Sequence, residues 1–179
     1  MDEALTKKLQ ELIDRQEIND CLLRYTRGVD RLDWELALSA YHPDATDDHG
    51  IVTLRGPDFL EFAFPMQREN YPSYVHMIGN VTIDLAGPDL AHTECYYVFL
   101  ATMEGPGILG YGRYVDRFEK RNGEWRIADR CTINDCTFSL PLFDNPPEMW
   151  AGLRSSGPNT RDKTDVSYMR PLKVRAPQK

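Results

Sequence analysis

The sequence predicts an α+β fold in which helices come first and a mainly antiparallel sheet follows. Apolar residues before residue 70 recur with the period of a buried helix face. Residues 74–138 instead form β-branched and aromatic runs that are separated by turns rich in glycine and proline. One of these turns, Asn122-Gly123, is typical of a tight hairpin. This order indicates a helical layer packed on one sheet.

The composition is that of an ordinary globular protein. The chain has 179 residues, of which 41% are hydrophobic and 27% charged, so it can bury a core and a cavity. A net charge of -7 argues against nucleic acid and acidic membranes as partners, because phosphate groups attract clustered Lys and Arg. There is no signal-peptide pattern, no membrane-length apolar run and no C-x-x-C spacing. We therefore expect a cytoplasmic protein with reduced cysteines.

The first helix is predicted to end at a corner that carries candidate site residues. Gly28 is expected to supply the left-handed position after the helix, and Asp33 to cap a second helix that reaches Tyr41. Tyr25 on the helix and Asp30 in the corner are then half of a candidate active site, although a core tyrosine and a helix cap are alternative interpretations. The apolar face of the first helix is predicted to consist of Leu5, Leu9, Leu12, Ile13, Ile18, Cys21, Leu22 and Tyr25.

A polar segment follows the second helix. Residues 42–49 hold two histidines and three aspartates, but their spacing fits no metal-site signature. Acidic residues beside proline and glycine are typical of turns, so we predict a turn running into a short strand and no metal. Asp48 and His49 are candidates for the mouth of a cavity. Gly56-Pro57 then begins a third helix.

Four long strands are predicted at 74–85, 91–102, 108–120 and 125–138. Residues 105–110 have the spacing G-x-G-x-x-G, but a strand follows them and not the helix that a dinucleotide site requires. Gly110 and Gly112 are therefore predicted to permit a bulge or bend. His76 lies among apolar residues of the first strand, where a core histidine is the alternative to a catalyst. Arg130 lies where the last strand becomes polar and could point inward.

A series of short motifs runs through most of residues 8–138. They are Ile18, Leu22, Arg24-Tyr25, Gly28, Asp30, Asp33-Trp34, His42-Pro43-Asp44-Ala45, His76-Met77-Ile78-Gly79-Asn80, Gly112-Arg113-Tyr114-Val115-Asp116 and Gly123-Glu124-Trp125-Arg126-Ile127. In the order and spacing of these motifs, the chain resembles the SnoaL-like branch of the nuclear-transport-factor-2-like superfamily. The resemblance implies that residues 1–140 form a cone of strongly curved sheet closed by the N-terminal helices around a deep apolar pocket. It also implies a homo-oligomer, with a trimer favoured over a dimer. The resemblance does not cover residues 141–179, which are predicted to be a C-terminal tail. Its paired prolines predict a short helix at residues 143–150 that serves as a lid or an oligomer contact, and the polar, basic residues 161–179 are predicted to be extended.

The resemblance extends to enzymes that perform eliminations without a metal or an organic cofactor. The pattern is similar to those of scytalone dehydratase, bile acid 7α-dehydratase and hexachlorocyclohexane dehydrochlorinase. It implies that Tyr25 polarises or protonates, that Asp30 orients the histidine and that His76 is the general base. Arg130 matches an arginine that some members place in the cavity.

These inferences give a predicted function with alternatives. The predicted activity is a cofactor-independent, dehydratase-like lyase that acts on a hydrophobic molecule with one or more rings. The residues predicted to contact this substrate are Asp48, His49, Phe59, Phe62, Tyr97, Phe99 and Phe138. A carbon–carbon lyase releasing a small aldehyde, an isomerase and a polyketide cyclase are alternatives that use the same pocket. A non-catalytic binding or assembly protein is the alternative of another class, and it is favoured if Asp30 lies on the surface.

Overall fold

A curved, unclosed sheet of six strands packs against the N-terminal helices in the computed structural model, which describes residues 2–141, 148–153 and 160–176. The helices are α1 Glu3–Asp30, α2 Trp34–Leu38, α3 Gly56–Asn70 and α4 Glu148–Leu153, with a 3₁₀ turn at Val166–Tyr168. The strands are β1 Tyr41–Asp48, β2 Thr53–Arg55, β3 Ser73–Leu85, β4 Leu90–Thr102, β5 Gly107–Arg121 and β6 Glu124–Leu140. The predicted α+β class is confirmed. None of the described helices is both long and apolar enough to cross a membrane.

The strands follow the order β2-β1-β6-β5-β4-β3, so the four long strands form an antiparallel meander. The pairing of β5 with β6 shifts between Tyr111 and Gly112, because Tyr111 pairs with Cys136 whereas Gly112 pairs with Asn134. This shift is the bulge that we predicted from Gly110 and Gly112. A Cβ atom on Gly112 would lie 1.9 Å from the carbonyl oxygen of Ile133, so only glycine fits this close crossing of strands.

Strand β1 was not predicted. The sequence suggested that the second helix reaches Tyr41, but α2 ends at Leu38 and Tyr41 begins a strand parallel to β6. Pairing partners such as Tyr41 and Ile127 are far apart in sequence, so no local pattern reveals them. The ladder is irregular between Tyr41 and Thr46, where Pro43 has no N–H to donate.

The predicted role of Gly28 is wrong. Helix α1 continues to Asp30, and the left-handed conformation after the helix is adopted by Leu32, at φ 49°. Gly28 instead allows two helices to touch, because a Cβ atom there would lie 2.4 Å from the backbone nitrogen of Ala37. Asp30 is consequently the last residue of α1.

Replacing Gly28 by alanine should lower the free energy of unfolding by about 3 kcal/mol, because the added methyl group forces α1 away from α2. Urea denaturation followed by circular dichroism measures this loss. Gly79→Ala is the matched control, because a Cβ atom there meets nothing within 4 Å. Equal stability of the two variants would contradict the packing role of Gly28.

The apolar face of α1 is only partly buried. Ile18, Cys21, Leu22 and Tyr25 lie in the core as predicted, whereas Leu5, Leu9, Leu12 and Ile13 are exposed. Burial of the helix begins at Asp14, whose carboxylate accepts hydrogen bonds from Trp125 Nε1 at 2.9 Å and Lys120 Nζ at 2.8 Å. The prediction for the four exposed residues is wrong because the helix extends beyond its contact with the sheet.

The described part of the C-terminal tail packs against the helices. Asp33, which caps α2, also accepts hydrogen bonds from Lys163 and Tyr168, and Arg161 donates to the carbonyl oxygen of Gln67 at 3.0 Å. We expected an extended segment after residue 161, so this packing and the 3₁₀ turn differ from that expectation. The short helix was expected at residues 143–150, of which 143–147 lie outside the described residues. Residues 142, 154–159 and 177–179 also lie outside them.

Candidate active site

A cavity of about 510 Å³ lies between the concave face of the sheet and helices α1 and α3. Its wall is mainly aromatic and aliphatic, and besides the tyrosines its polar side chains are those of His49, Gln67, His76, Thr132, Asn134 and Thr137. A cavity of this size and character suits a drug-sized molecule with an apolar ring system. The residues that line it are Tyr25, His49, Ile51, Phe59, Phe62, Ala63, Met66, Gln67, Tyr71, His76, Tyr97, Phe99, Ile108, Gly110, Tyr114, Thr132, Asn134 and Thr137.

His76 and Asp30 form a pair at the wall of this cavity. The Asp30 carboxylate accepts a hydrogen bond from His76 Nδ1 at 2.7 Å, and its two oxygens accept from the His76 backbone N–H at 3.0 and 3.1 Å. Strand β3 is the last of the sheet, so this N–H is not needed in a ladder. With Nδ1–H donated to the carboxylate, Nε2 carries a lone pair and can accept a proton. Asp30 does not lie on the surface, since its side chain is only 13% exposed.

The His76 ring is held by aromatic neighbours. Phe99 lies 4.8 Å away between ring centroids, and Tyr74 packs edge-on at 6.0 Å. The Tyr74 hydroxyl donates to the carbonyl oxygen of Val29 at 2.6 Å, which ties β3 to the end of α1 where Asp30 lies. The distance between the two partners of the pair is thus fixed by the core.

Tyr25 brings a phenol to the same cavity. Burial raises the pKa of this phenol above its usual value, although Arg130 acts in the opposite direction, so the hydroxyl keeps its proton and can donate it. The rings of Tyr41 and Tyr114 pack edge-on against Tyr25 at 5.6 and 5.8 Å. Tyr25 and His76 therefore line one cavity, and Asp30 contacts His76.

Arg130 is not among the residues that line the cavity. Its side chain is completely buried and binds both oxygens of Asp116, at 2.8 and 2.7 Å. These two residues are direct partners in the β5–β6 ladder. The guanidinium lies between two rings, 4.1 Å from the centroid of Tyr25 and 4.2 Å from that of Tyr114. A buried guanidinium requires a carboxylate partner, and this requirement directs Arg130 to Asp116 behind Tyr25.

A second histidine–carboxylate pair lies at the end of β1. The Asp47 carboxylate is completely buried and accepts hydrogen bonds from the Tyr41 hydroxyl and from His49 Nδ1. The His49 ring is stacked on Phe59 with centroids 3.9 Å apart. Sequence reasoning proposed His49 but missed Asp47 and Tyr41. The sequence did contain a signal for them, because side chains alternate between the two faces of a strand. If this segment is recognised as a strand, residues 41, 45, 47 and 49 fall on the same face.

Two of the residues predicted to contact substrate lie away from the cavity. Asp48 faces the other side of β1 and accepts a hydrogen bond from the Gly50 backbone N–H at 2.8 Å, as turn residues do. Phe138 is 49% exposed and stacks on Tyr111 on the outer face of the sheet. The bulge explains this, because the extra residue in β6 reverses the alternation and turns Thr137 inward instead of Phe138.

The remaining residues predicted to contact substrate lie at the cavity, and the contact itself stays a prediction. Phe59, Phe62, Tyr97 and Phe99 line the cavity. Gly110 also lines it, at the centre of the sheet, where a Cβ atom would approach no neighbour closer than 3.7 Å. Within residues 2–141, 148–153 and 160–176, no three His, Cys, Asp or Glu side chains are grouped as ligands for a metal ion.

Comparison with known proteins places this site in a family context. A family model described as a SnoaL-like domain matches residues 10–131. Uncharacterized proteins of Mycobacterium tuberculosis and Mycobacterium bovis are 28% identical over 126 residues, which cover 67% of this chain and 84% of each relative. A solved hexachlorocyclohexane dehydrochlorinase, LinA type 2, has a TM-score of 0.72 at 21% identity and covers 79% of this chain and 98% of its own. A scytalone-dehydratase-like protein from Novosphingobium aromaticivorans has a TM-score of 0.69 at 17% identity and covers 79% of this chain and 97% of its own.

Proposed function

The chain belongs to the SnoaL-like domain family, and from this premise we propose that it is a cofactor-independent lyase that acts on an apolar, ring-containing small molecule. The observation that carries the proposal is the His76–Asp30 pair, which lies at the wall of an apolar cavity that the phenol of Tyr25 also lines. Two of its structural neighbours bear the names of a dehydrochlorinase and a dehydratase, and this agrees with an elimination reaction.

The arrangement of groups supports removal of a proton from carbon. Nε2 of His76 takes a proton from the carbon next to a carbonyl group, and the charge of Asp30 stabilises the imidazolium that forms. The electron pair of the broken C–H bond moves toward the carbonyl oxygen, where the hydroxyl of Tyr25 donates a hydrogen bond. Collapse of this enolate forms a carbon–carbon double bond and expels the group on the neighbouring carbon. All groups needed for these steps are on the chain.

Two aromatic ketones test the proposal. In D₂O, 4-phenylbutan-2-one should exchange its α-hydrogens faster with the protein than without it, as followed by proton NMR. The related β-hydroxy ketone, 4-hydroxy-4-phenylbutan-2-one, should lose water and give the conjugated enone. Release of benzaldehyde and acetone would instead identify a carbon–carbon lyase. Binding of both ketones with neither exchange nor turnover would contradict an enzyme and support a ligand-binding protein.

We also propose that the outer face of the sheet joins two copies of the chain. Apolar side chains from neighbouring strands are exposed there, and the charged group of Arg113, Glu94 and Asp135 lies among them, since Arg113 pairs with Tyr96 in the ladder. An exposed apolar surface of this kind is typical of an interface between subunits. Its apolar residues, all at least 37% exposed, are Val75, Met77, Tyr96, Leu100, Tyr111, Val115 and Phe138.

Leu100→Glu should therefore convert the oligomer to a monomer, because a carboxylate in an apolar interface loses its hydration without a partner. Sedimentation velocity measures the mass and also decides between a trimer and a dimer. Leu23→Glu on α1 is the matched control, since Leu23 is 54% exposed and lies outside this surface. A wild-type protein that sediments as a monomer would contradict the proposal.

A further inference from the structure

The pair of His49 and Asp47 has no part in the proton abstraction described above. Asp47 is completely buried, and burying a carboxylate is costly unless hydrogen bonds compensate for the lost water. Its two partners are the Tyr41 hydroxyl and His49 Nδ1. Tyr41 is itself 1% exposed, so a residue of the core holds this carboxylate in place next to Nδ1 of the imidazole.

The His49 side chain lines the cavity, and Phe59 covers one face of its ring. The hydroxyl of Thr132, which also lines the cavity, lies 3.3 Å from Nε2 and 3.5 Å from Nδ1, so the carboxylate of Asp47 holds Nδ1 and leaves Nε2 for a ligand. Along the sheet, β1 and β3 are separated by β6, β5 and β4. Because the sheet is curved, His49 and His76 reach the same cavity from opposite flanks.

We propose that His49, held by Asp47, is the general acid of this site and that the leaving group is therefore a hydroxyl. The inference rests on the proposed function, because it assigns the second half of that elimination. The carboxylate of Asp47 stabilises an imidazolium at His49 in the same way as Asp30 does at His76. Two separate pairs let one imidazole accept a proton while the other donates one.

The elimination is balanced by these two transfers. His76 Nε2 gains the proton of the C–H bond, and the electron pair of that bond becomes the new carbon–carbon double bond. The C–O bond breaks with its electron pair on oxygen, and His49 Nε2 gives its proton to that oxygen, so the products are an alkene and water. Exchange with solvent returns the proton from His76 and restores that of His49.

The chemistry of the leaving group explains the need for a second pair. Hydroxide is a poor leaving group and departs readily only when it is protonated, whereas chloride and acetate depart as stable anions. A site built only for such anions does not require an acid opposite the base. The buried carboxylate and its imidazole thus indicate an alcohol substrate, with the hydroxyl on the carbon β to a carbonyl group.

His49→Gln tests the assignment with two substrates that differ in the leaving group alone. With 4-hydroxy-4-phenylbutan-2-one, kcat should fall by about 10²–10⁴-fold, the usual contribution of a general acid. With the acetate ester of the same alcohol, the loss should be less than about tenfold, because acetate needs no proton. Asp47→Asn should show the same split, whereas Asp44→Asn on β1 and His92→Gln on β4 should leave both rates unchanged.

The α-hydrogen exchange of 4-phenylbutan-2-one separates this inference from the proposed function. Exchange depends on His76 with its supports Asp30 and Tyr25 and does not involve His49, so it should persist in His49→Gln. Equal loss with both leaving groups, or no loss with either, would overturn the role of His49 while leaving His76 as the base. Failure of exchange in the wild-type protein would overturn the proposed function itself.

The wild-type protein gives a second test that does not depend on the folding of a variant. If His49 protonates the leaving oxygen, the wild-type enzyme should eliminate the alcohol as well as its acetate ester. A wild-type protein that eliminates the ester but not the alcohol would overturn the inference.

Discussion

His76→Gln should lower kcat for elimination from the β-hydroxy ketone by about 10²–10⁴-fold, because the variant has no basic nitrogen at the position of Nε2. Glutamine is close in size and can still donate a hydrogen bond to Asp30, so the fold and KM should change little. The measurements are steady-state kinetics and the rate of α-hydrogen exchange in D₂O. Both should fall together, since both begin with the same proton transfer.

Controls distinguish loss of the base from loss of structure. His92→Gln replaces an exposed histidine of β4 outside the cavity and should behave as the wild type. Asp30→Asn keeps the shape of the pair but removes its charge, so it should also act on kcat. The double variant Asp30→Asn/His76→Gln should have nearly the same kcat as His76→Gln alone, because the effects of residues that act as one unit are not additive. Full turnover by a folded His76→Gln variant would refute the mechanism.

Arg130→Met should lower the free energy of unfolding by about 3–5 kcal/mol, because it leaves the completely buried carboxylate of Asp116 without a partner. Burial raises the pKa of Asp116 and Arg130 opposes that rise, so the variant should favour a protonated Asp116. Urea denaturation gives the stability. Arg126→Met on the same strand is the matched control and should cost about 0–1 kcal/mol, since its ion pair with Glu124 lies near the surface.

The double variant Arg130→Met/Asp116→Leu completes this test. Replacing both partners of a buried ion pair by apolar groups removes the unpaired charge, so most of the lost stability should return. The kinetic result is equally informative. If Arg130→Met kept its stability and lost only kcat, the arginine would contact substrate, as the resemblance to cavity arginines implied, and its role as a support behind Tyr25 would be wrong.

The sequence predicted the parts of this fold that depend on local patterns. Helix periodicity located α1 and α3, and turns such as Asn122-Gly123 located the strand meander. The roles of Tyr25, Asp30 and His76 came from motif resemblance, and they remain predictions. The structure adds that all three belong to one site, although 46 residues separate Asp30 from His76.

The missed features depend on contacts between distant segments. Strand β1 exists because it pairs with β6, so a run of polar residues around Pro43 looked like a turn and concealed Asp47. Phe138 faces outward because of one extra residue in β6, and no count of alternating residues shows such a shift in advance. Gly28 was assigned to a helix end, but a glycine is required there because helix α2 approaches the backbone of α1 too closely for a side chain. Each error concerns a partner that lies far away in the chain.

Gly110 lines the cavity at a distance from the groups that transfer protons, so a change at this position would affect which substrate fits without altering those groups. It lies on β5, in the middle of the sheet, whereas the two imidazoles lie on its flanks, His49 directly after β1 and His76 on β3. Its backbone is not left-handed and its surroundings are open, so larger side chains can be accommodated there at the expense of cavity volume. Evolution can therefore change which ring system is accepted through this one position while the proton-transfer groups stay in place. Because the shape of the cavity and the proton-transfer groups can change separately, related proteins can catalyse the same reaction on different substrates.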